Sequence, residues 1–272
     1  MAMSKVSWQV SSWLLRKHYR MHFLSIIRIA QLQYRGLFLW NTRLAIISNT
    51  IISPALVVIT YYLIVRGTTE IPAGTLLFSV AIVAGGSTAA SAVLQSSSND
   101  VAFGTQDARN MSIMPIALQD VILLTSLIPV VTLTISSATA VAFILGDIEL
   151  HPNLLWIAFA LPISAISLVL FSAVIGLIPL IQRDWISGVL LINGIVLAGS
   201  GAIIPRSSLA GEISWISSLV PTAHVLPAIR DMLEGSWSAK SFWSQMALEC
   251  SVMAGYSIVL SCVTSTTVWR KK

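Results

Sequence analysis

Six long apolar stretches, separated by short polar segments, fill most of this chain: residues 44–65, 73–94, 118–145, 154–181, 186–204 and 246–268. Each is about as long as a bilayer core is thick. A hydrocarbon layer of roughly 30 Å takes about 20 apolar residues in a helix, and with no water inside it every backbone group must be paired within the segment. The pattern predicts an all-α integral membrane protein with six transmembrane helices. Composition agrees, with 56% hydrophobic and 10% charged residues, where a soluble domain carries about 25% charged.

The polar segments set the orientation. Of the 16 Lys and Arg residues, twelve fall before the first stretch, in the loops holding Arg109 and Arg183, or in the closing Arg270, Lys271 and Lys272. The other side holds Arg66, Arg206, Arg230 and Lys240. Positive charge stays cytoplasmic, so both termini are expected in the cytoplasm, in a multi-pass protein of a bacterial cytoplasmic membrane. The net charge of +5 then belongs to topology and lipid headgroups, and nucleic acid is not an expected partner. About 43 residues rich in Arg precede the first stretch, so no cleavable signal peptide is expected.

Residues 10–40 read as an amphipathic helix lying on the membrane surface. Trp13, Tyr19, Phe23, Ile26, Ile29, Tyr34, Phe38 and Trp40 are interface anchors, and Arg16, Arg20, Arg28 and Arg35 form a basic stripe that Leu24 and Ile27 interrupt. Cys250 and Cys262 stand twelve positions apart in the last stretch, too far to bond along one helix. The sequence has no Cys/His cluster at metal-ligand spacing and no nucleophile motif, so neither a metal centre nor catalysis is expected.

Charge placement bears on the energy source. Ion-coupled transport needs ionisable groups near the bilayer midplane. The acids are expected in loops, with Asp120 and Glu249 at span ends within reach of headgroups. Gly is nowhere followed by Lys, so the phosphate-binding Walker A pattern is missing and the chain carries no nucleotide cofactor of its own. Active transport would need an ATPase on another polypeptide.

Two segments between the stretches carry more specific signals. Residues 96–115 open with Ser96, Ser97, Ser98 and Asn99 and end at Pro115, which reads as one short cytoplasmic helix. Residues 205–245 contain an apolar run of about 12 residues, 209–220, too short to cross. That run reads as one arm of a re-entrant hairpin from the outer side: Pro221 turns the chain, His224 follows, Arg230 and Glu234 lie one helical turn apart, and Gly235 is the stop.

On these residues the chain resembles the permease subunits of type-2 ABC exporters. Asp100, Gly104, Thr105, Ile113, Met114 and Pro115 match the family's coupling segment, and Pro221, His224, Ala228, Arg230 and Gly235 its segment before the sixth span. Asp100 stands where the family usually has Glu, and Gln106 to Asn110 is more polar than usual. The resemblance covers nearly the whole chain as one transmembrane domain, 1–272. It comprises a surface helix (1–43), spans one to five (44–204), the hairpin (205–245), and span six with a cytoplasmic tail (246–272).

The resemblance implies alternating access between two permeases, as a homodimer or heterodimer. Each would sit on an ATP-binding subunit that holds ATP and Mg and pushes on a coupling helix including Asp100, Phe103, Gly104, Thr105, Asp107, Arg109 and Pro115. Polar residues inside the spans, Asn49, Ser53, Thr60 and Asn193, are candidates for a substrate path. The run Gly85 to Ala92 and Gly194, Gly199 and Gly201 suit close helix approach, either to a second permease or within one subunit. Short outer loops suit an amphiphile such as a drug, lipid or hydrophobic peptide. Export of a lipid-linked polysaccharide by the same family, or a passive channel or scramblase, are the alternatives.

Overall fold

The computed structural model describes residues 42–65, 73–102, 116–146, 155–178, 181, 184–202 and 211–269. Among these every regular element is a helix. Helix α1 comprises Arg43–Ile47, a wide π-turn Ser48–Ile52, and Ser53–Val65; α2 is Ala73–Ala102, α3 Ile116–Leu145, α4 Ile157–Ile175 and α5 Trp185–Gly199. Two short helices follow, α6 (Gly211–Ser217) and α7 (Val225–Leu233), and α8 (Ala239–Trp269) closes the order.

Five helices are long and apolar enough to cross a membrane, with candidate spans Arg43–Ile64, Leu76–Ser98, Leu123–Leu145, Ile157–Ile175 and Ala239–Val263. The fifth apolar stretch of the sequence is shorter as a helix than its hydropathy suggests. Helix α5 has 15 residues, about 22 Å at 1.5 Å per residue, because Gly201 takes a positive φ of 80° and turns the chain away.

Helix α2 is the axis of the bundle. Within its most apolar 18 residues 83% are buried, against 17% for α1 and 11% for α8. Helices α1, α3, α4 and α5 all pack on α2, while α8 packs on α4 and α7. The small residues of α2 explain the close seating. A Cβ on Gly85 would lie 2.2 Å from Ile135 Cγ1 of α3, and one on Gly86 would lie 3.2 Å from Leu168 of α4. This run therefore packs within the subunit. Gly194 meets nothing within 4 Å. Large apolar residues cover the outside, among them Leu44, Leu63, Leu190, Leu248 and Ile258. A surface of that kind is stable against lipid and a liability in water.

The irregular stretch of α1 has a covalent cause. Pro54 has no N–H to donate to the carbonyl four residues back, that of Thr50. The helix widens there, and the Ser53 N–H bonds five residues back to Ser48 O. The orphaned Thr50 carbonyl, on a residue 1% exposed, accepts the Ser137 hydroxyl of α3 at 2.8 Å, and that proton is shared with Thr134 O at 2.9 Å. One serine thus ties α1 to α3 at the place where α1 cannot satisfy itself.

Two expectations are corrected by the helix bounds. Ser96 to Asn99 do not open a new helix, since α2 continues unbroken through Ala102. The Ser97 hydroxyl returns to Val93 O of its own helix at 3.2 Å instead of capping. The last candidate span starts at Ala239 and not at Met246, because the Ser238 hydroxyl accepts the Ser241 N–H at 3.1 Å and opens the helix there. The surface helix expected over 10–40 lies outside the described residues.

Helix α5 begins at a side-chain cap. Asp184 accepts the hydroxyl and the N–H of Ser187, and these bonds hold its carboxyl below the ordinary value of 3.8. A carboxylate depressed in the folded state stabilises above its unfolded value, and that contribution disappears as pH falls through the lowered one. Asp184→Asn should therefore lower the melting temperature of the detergent-purified chain at neutral pH, and the gap to the parent should shrink as the pH is taken below 3.8. Ser137→Ala should cost about 1–2 kcal/mol by leaving a buried carbonyl unpaired. Ser136→Ala, whose hydroxyl bonds Thr132 O within its own helix, is the control in the same melting experiment and should cost less.

Candidate functional site

A cluster of buried polar groups lies where the turn 218–224, between α6 and α7, meets α4, α5 and α8. At its centre is Glu249, the eleventh residue of α8 and 0% exposed. Ten residues from the helix start is about 15 Å, or half a hydrocarbon core. The expectation that Glu249 sits at a span end is thus corrected, and the reason is the earlier start of α8.

Glu249 accepts three hydrogen bonds. Oε1 takes the Ser167 hydroxyl of α4 and the Thr222 N–H at 2.8 Å, and Oε2 takes the His224 N–H at 3.3 Å. His224 is the residue immediately before α7, so the carboxylate stands at the amino end of that helix, where unpaired N–H groups favour an anion. A carboxyl group inside a bundle is costly unless its lone pairs are used, and here they are.

Further bonds close the same turn. The His224 ring meets Ser218 O at 3.1 Å, and the Tyr256 hydroxyl of α8 donates to Leu219 O. Arg230 reaches back to the exit of α5, where its Nη2 donates to Gly201 O at 2.6 Å and Ala202 O at 3.0 Å, carbonyls of the segment just past the helix end. Gly199 lets the turn approach, since a Cβ there would lie 2.6 Å from Val220 Cγ2. Gly235, at φ 75°, ends α7 as the sequence pattern predicts.

This junction also carries cost. Thr222 is β-branched and sits at φ 67°, a conformation that costs on the order of 1–3 kcal/mol outside glycine. Its hydroxyl, the hydroxyl of Ser200 and the Nε of Arg230 are buried and unpartnered.

The sequence candidates fall into three groups. Pro221 and His224 lie buried in the turn, Arg230 reaches from α7 to the exit of α5, and Gly235, exposed, lies past the far end of α7 and does not join them. Asn193 of α5 donates to Ser87 of α2 at 3.2 Å, a contact between helices. Ser53, exposed, lines an open groove of about 320 Å³ on the outer face of α1 with Ser48, Leu56 and Thr60, and Asn49 is half-buried on the same helix. Thr60 returns its proton to Leu56 O at 2.8 Å. Asp100 belongs to the last turn of α2, while Phe103, Gly104, Thr105, Asp107, Arg109 and Pro115 lie outside the described residues. Sequence reasoning missed Glu249, Ser167, Thr222 and Tyr256. The signal for Glu249 was Ser238, whose capping role moves the start of α8 back by about two turns.

At one end of α4 and α8, Trp156 packs with Phe159, Trp237, Phe242 and Trp243 at centroid distances of 5.6 to 6.1 Å. Clusters of this type suit a membrane interface. Compared with protein families, with curated proteins and with solved structures, the chain gives no match.

Gly199→Val is expected to lower stability by about 1–3 kcal/mol through overpacking against Val220. Gly194→Val, in open space, should change it by about 0.5 kcal/mol or less. Melting of the two purified variants side by side checks the difference.

Proposed function

We propose that the chain is the permease subunit of an ATP-driven type-2 ABC exporter that moves an amphiphile out across the bacterial cytoplasmic membrane. The observation that carries the reading is the pair of short helices ahead of the last span. Helices of seven and nine residues reach about 10 and 13 Å, too little to cross. Yet Ala223, Val225, Leu226, Ala228, Ile229 and Met232 are buried against the bundle. A re-entrant hairpin on the outer side accounts for both facts. Helix α5 then serves as a short fifth span completed by that hairpin, which makes six spans in all, and both termini are cytoplasmic. ATP and Mg belong to a separate ATP-binding subunit, and a second permease completes the transporter. The apolar outer face of α1, with Asn49 and Ser53 along it, suits an amphiphile better than a glycan. Lipid-linked polysaccharide export or passive movement through a channel or scramblase are the readings it competes with.

Glu249 favours one further reading, ion-coupled transport, since an ionisable group inside a bundle marks an ion path by default. Its three donors are a serine and two backbone N–H groups, the surroundings of a structural acceptor. A protonophore would abolish transport under that reading and spare it under the first.

Mild-detergent purification from native membranes, with mass spectrometry of what stays bound, tests the proposal: a stoichiometric soluble protein bearing a Walker A sequence is expected. Bulky substitutions at Gly104 or Thr105 should abolish ATP-dependent transport while the chain stays folded and inserted. Retained transport in those variants refutes the coupling assignment.

A further inference from the structure

The junction at Glu249 is better built for holding and releasing than for permanent attachment. Three observations point the same way. The turn 218–224 pairs the N–H groups of Ser218, Leu219, Val220 and Ala223 locally, but those of Thr222 and His224 and the Leu219 carbonyl are met only by side chains of α8, Glu249 and Tyr256, with Ser167 of α4 on the same carboxylate. The arm before the turn and the entry to the turn are thinly packed, with Trp215 and Ile216 of α6 and Leu219 all more than half exposed. The closed turn is also not its own best arrangement: Thr222 keeps a positive φ, and the hydroxyls of Thr222 and Ser200 and the Nε of Arg230 are buried without partners. Strain of this kind persists only where surrounding bonds over-determine it, and it concentrates at elements with two states.

We propose that Glu249 is a releasable clasp that keeps the 218–224 turn closed against α4 and α8, and that its release lets the α6–α7 pair move away from the bundle. If the exporter reading holds, on which this consequence rests, the clasp is what the outward-opening motion must undo. When α8 shifts relative to α4, the Ser167 hydroxyl and the two N–H groups can no longer meet one carboxylate, and the strained turn relaxes. Glu249 is a positioning residue in this scheme and need not touch the substrate.

The test reads the turn directly. In a full-length chain with Cys250→Ala and Cys262→Ala, the substitution Ala223→Cys puts a thiol at a site that is 0% exposed. Its rate of modification by a membrane-impermeant maleimide is followed in native membranes. The closed parent should react slowly. Glu249→Gln should raise the rate by about tenfold or more, as the loss of a charge-assisted hydrogen bond implies. Ser167→Ala, which leaves the carboxylate on both N–H groups, should raise it by a smaller factor and serves if the Glu249 variant does not accumulate. Thr222→Gly should slow the reaction below the parent, because it removes the strain that drives opening. A turn that never opens predicts no such slowing. An unchanged rate in Glu249→Gln and Ser167→Ala, or an introduced thiol that is already freely reactive in the parent, overturns the clasp. The readout needs neither ATPase nor substrate. Failure of the copurification experiment would sink the exporter reading and leave the clasp standing, and the reverse outcome is equally distinguishable.

Discussion

In hydrocarbon a backbone N–H that leaves a helix has no water to bond, and each one left open costs several kcal/mol. The turn 218–224 raises this problem inside the bundle, and one carboxylate answers it. Glu249 spans two N–H groups of the turn and a hydroxyl of α4. It thereby fixes where α7 starts, how closely Val220 approaches Gly199, and how Arg230 reaches the open end of α5. The arrangement of four helices at this end follows from that set of bonds. Breaking a buried charge's bonds by removing one partner is strongly destabilising, so the same group that organises the junction also makes it sensitive.

The other half of the bundle obeys the same rule with different means. Pro54 breaks the pairing of α1, and Ser137 of α3 repairs it. Asn193 of α5 reaches Ser87 of α2. Between these points the contacts are apolar and close, because Gly85 and Gly86 carry no side chain where Ile135 and Leu168 press in. Lipid tails are as apolar as leucine, so burial against lipid gives helices no reason to associate. Tight packing and a few interhelical hydrogen bonds must supply it. Helix α2, buried along most of its span, is where that packing is concentrated.

Much of this was legible in the sequence, and the failures have physical causes. The apolar stretches located every long helix among the described residues, because length and hydropathy are what a bilayer selects. Gly235 was readable as a helix stop, because glycine takes a positive φ without strain. The bounds of α5 and α8 were not readable from hydropathy. Helix α8 begins with Ala239, Lys240 and Ser241, polar enough to be set aside as loop, although the Ser238 cap marks its start. Helix α5 stops at Gly199 although Ala202 to Ile204 remain apolar, because a backbone torsion at Gly201 ends it. The partners of Glu249 lie 82, 27 and 25 positions away, and no local pattern announces pairings at that separation. Ser137 and Thr50, 87 positions apart, were hidden for the same reason.

The misplaced start of α8 had a consequence for function. With Glu249 at a span end, ion coupling could be dismissed for want of a carboxylate in the core. With Glu249 buried, that elimination no longer holds, and the question becomes what the carboxylate is bonded to. A group that carries an ion must exchange partners with water or with another titratable side chain along a path. Glu249 gives its acceptor sites to two backbone N–H groups and a serine, none of which titrates near neutral pH. The carboxylate is therefore committed to holding the fold in this conformation. Its exchange of partners requires the turn to move first, so motion of the α6–α7 pair and any change at Glu249 are one event.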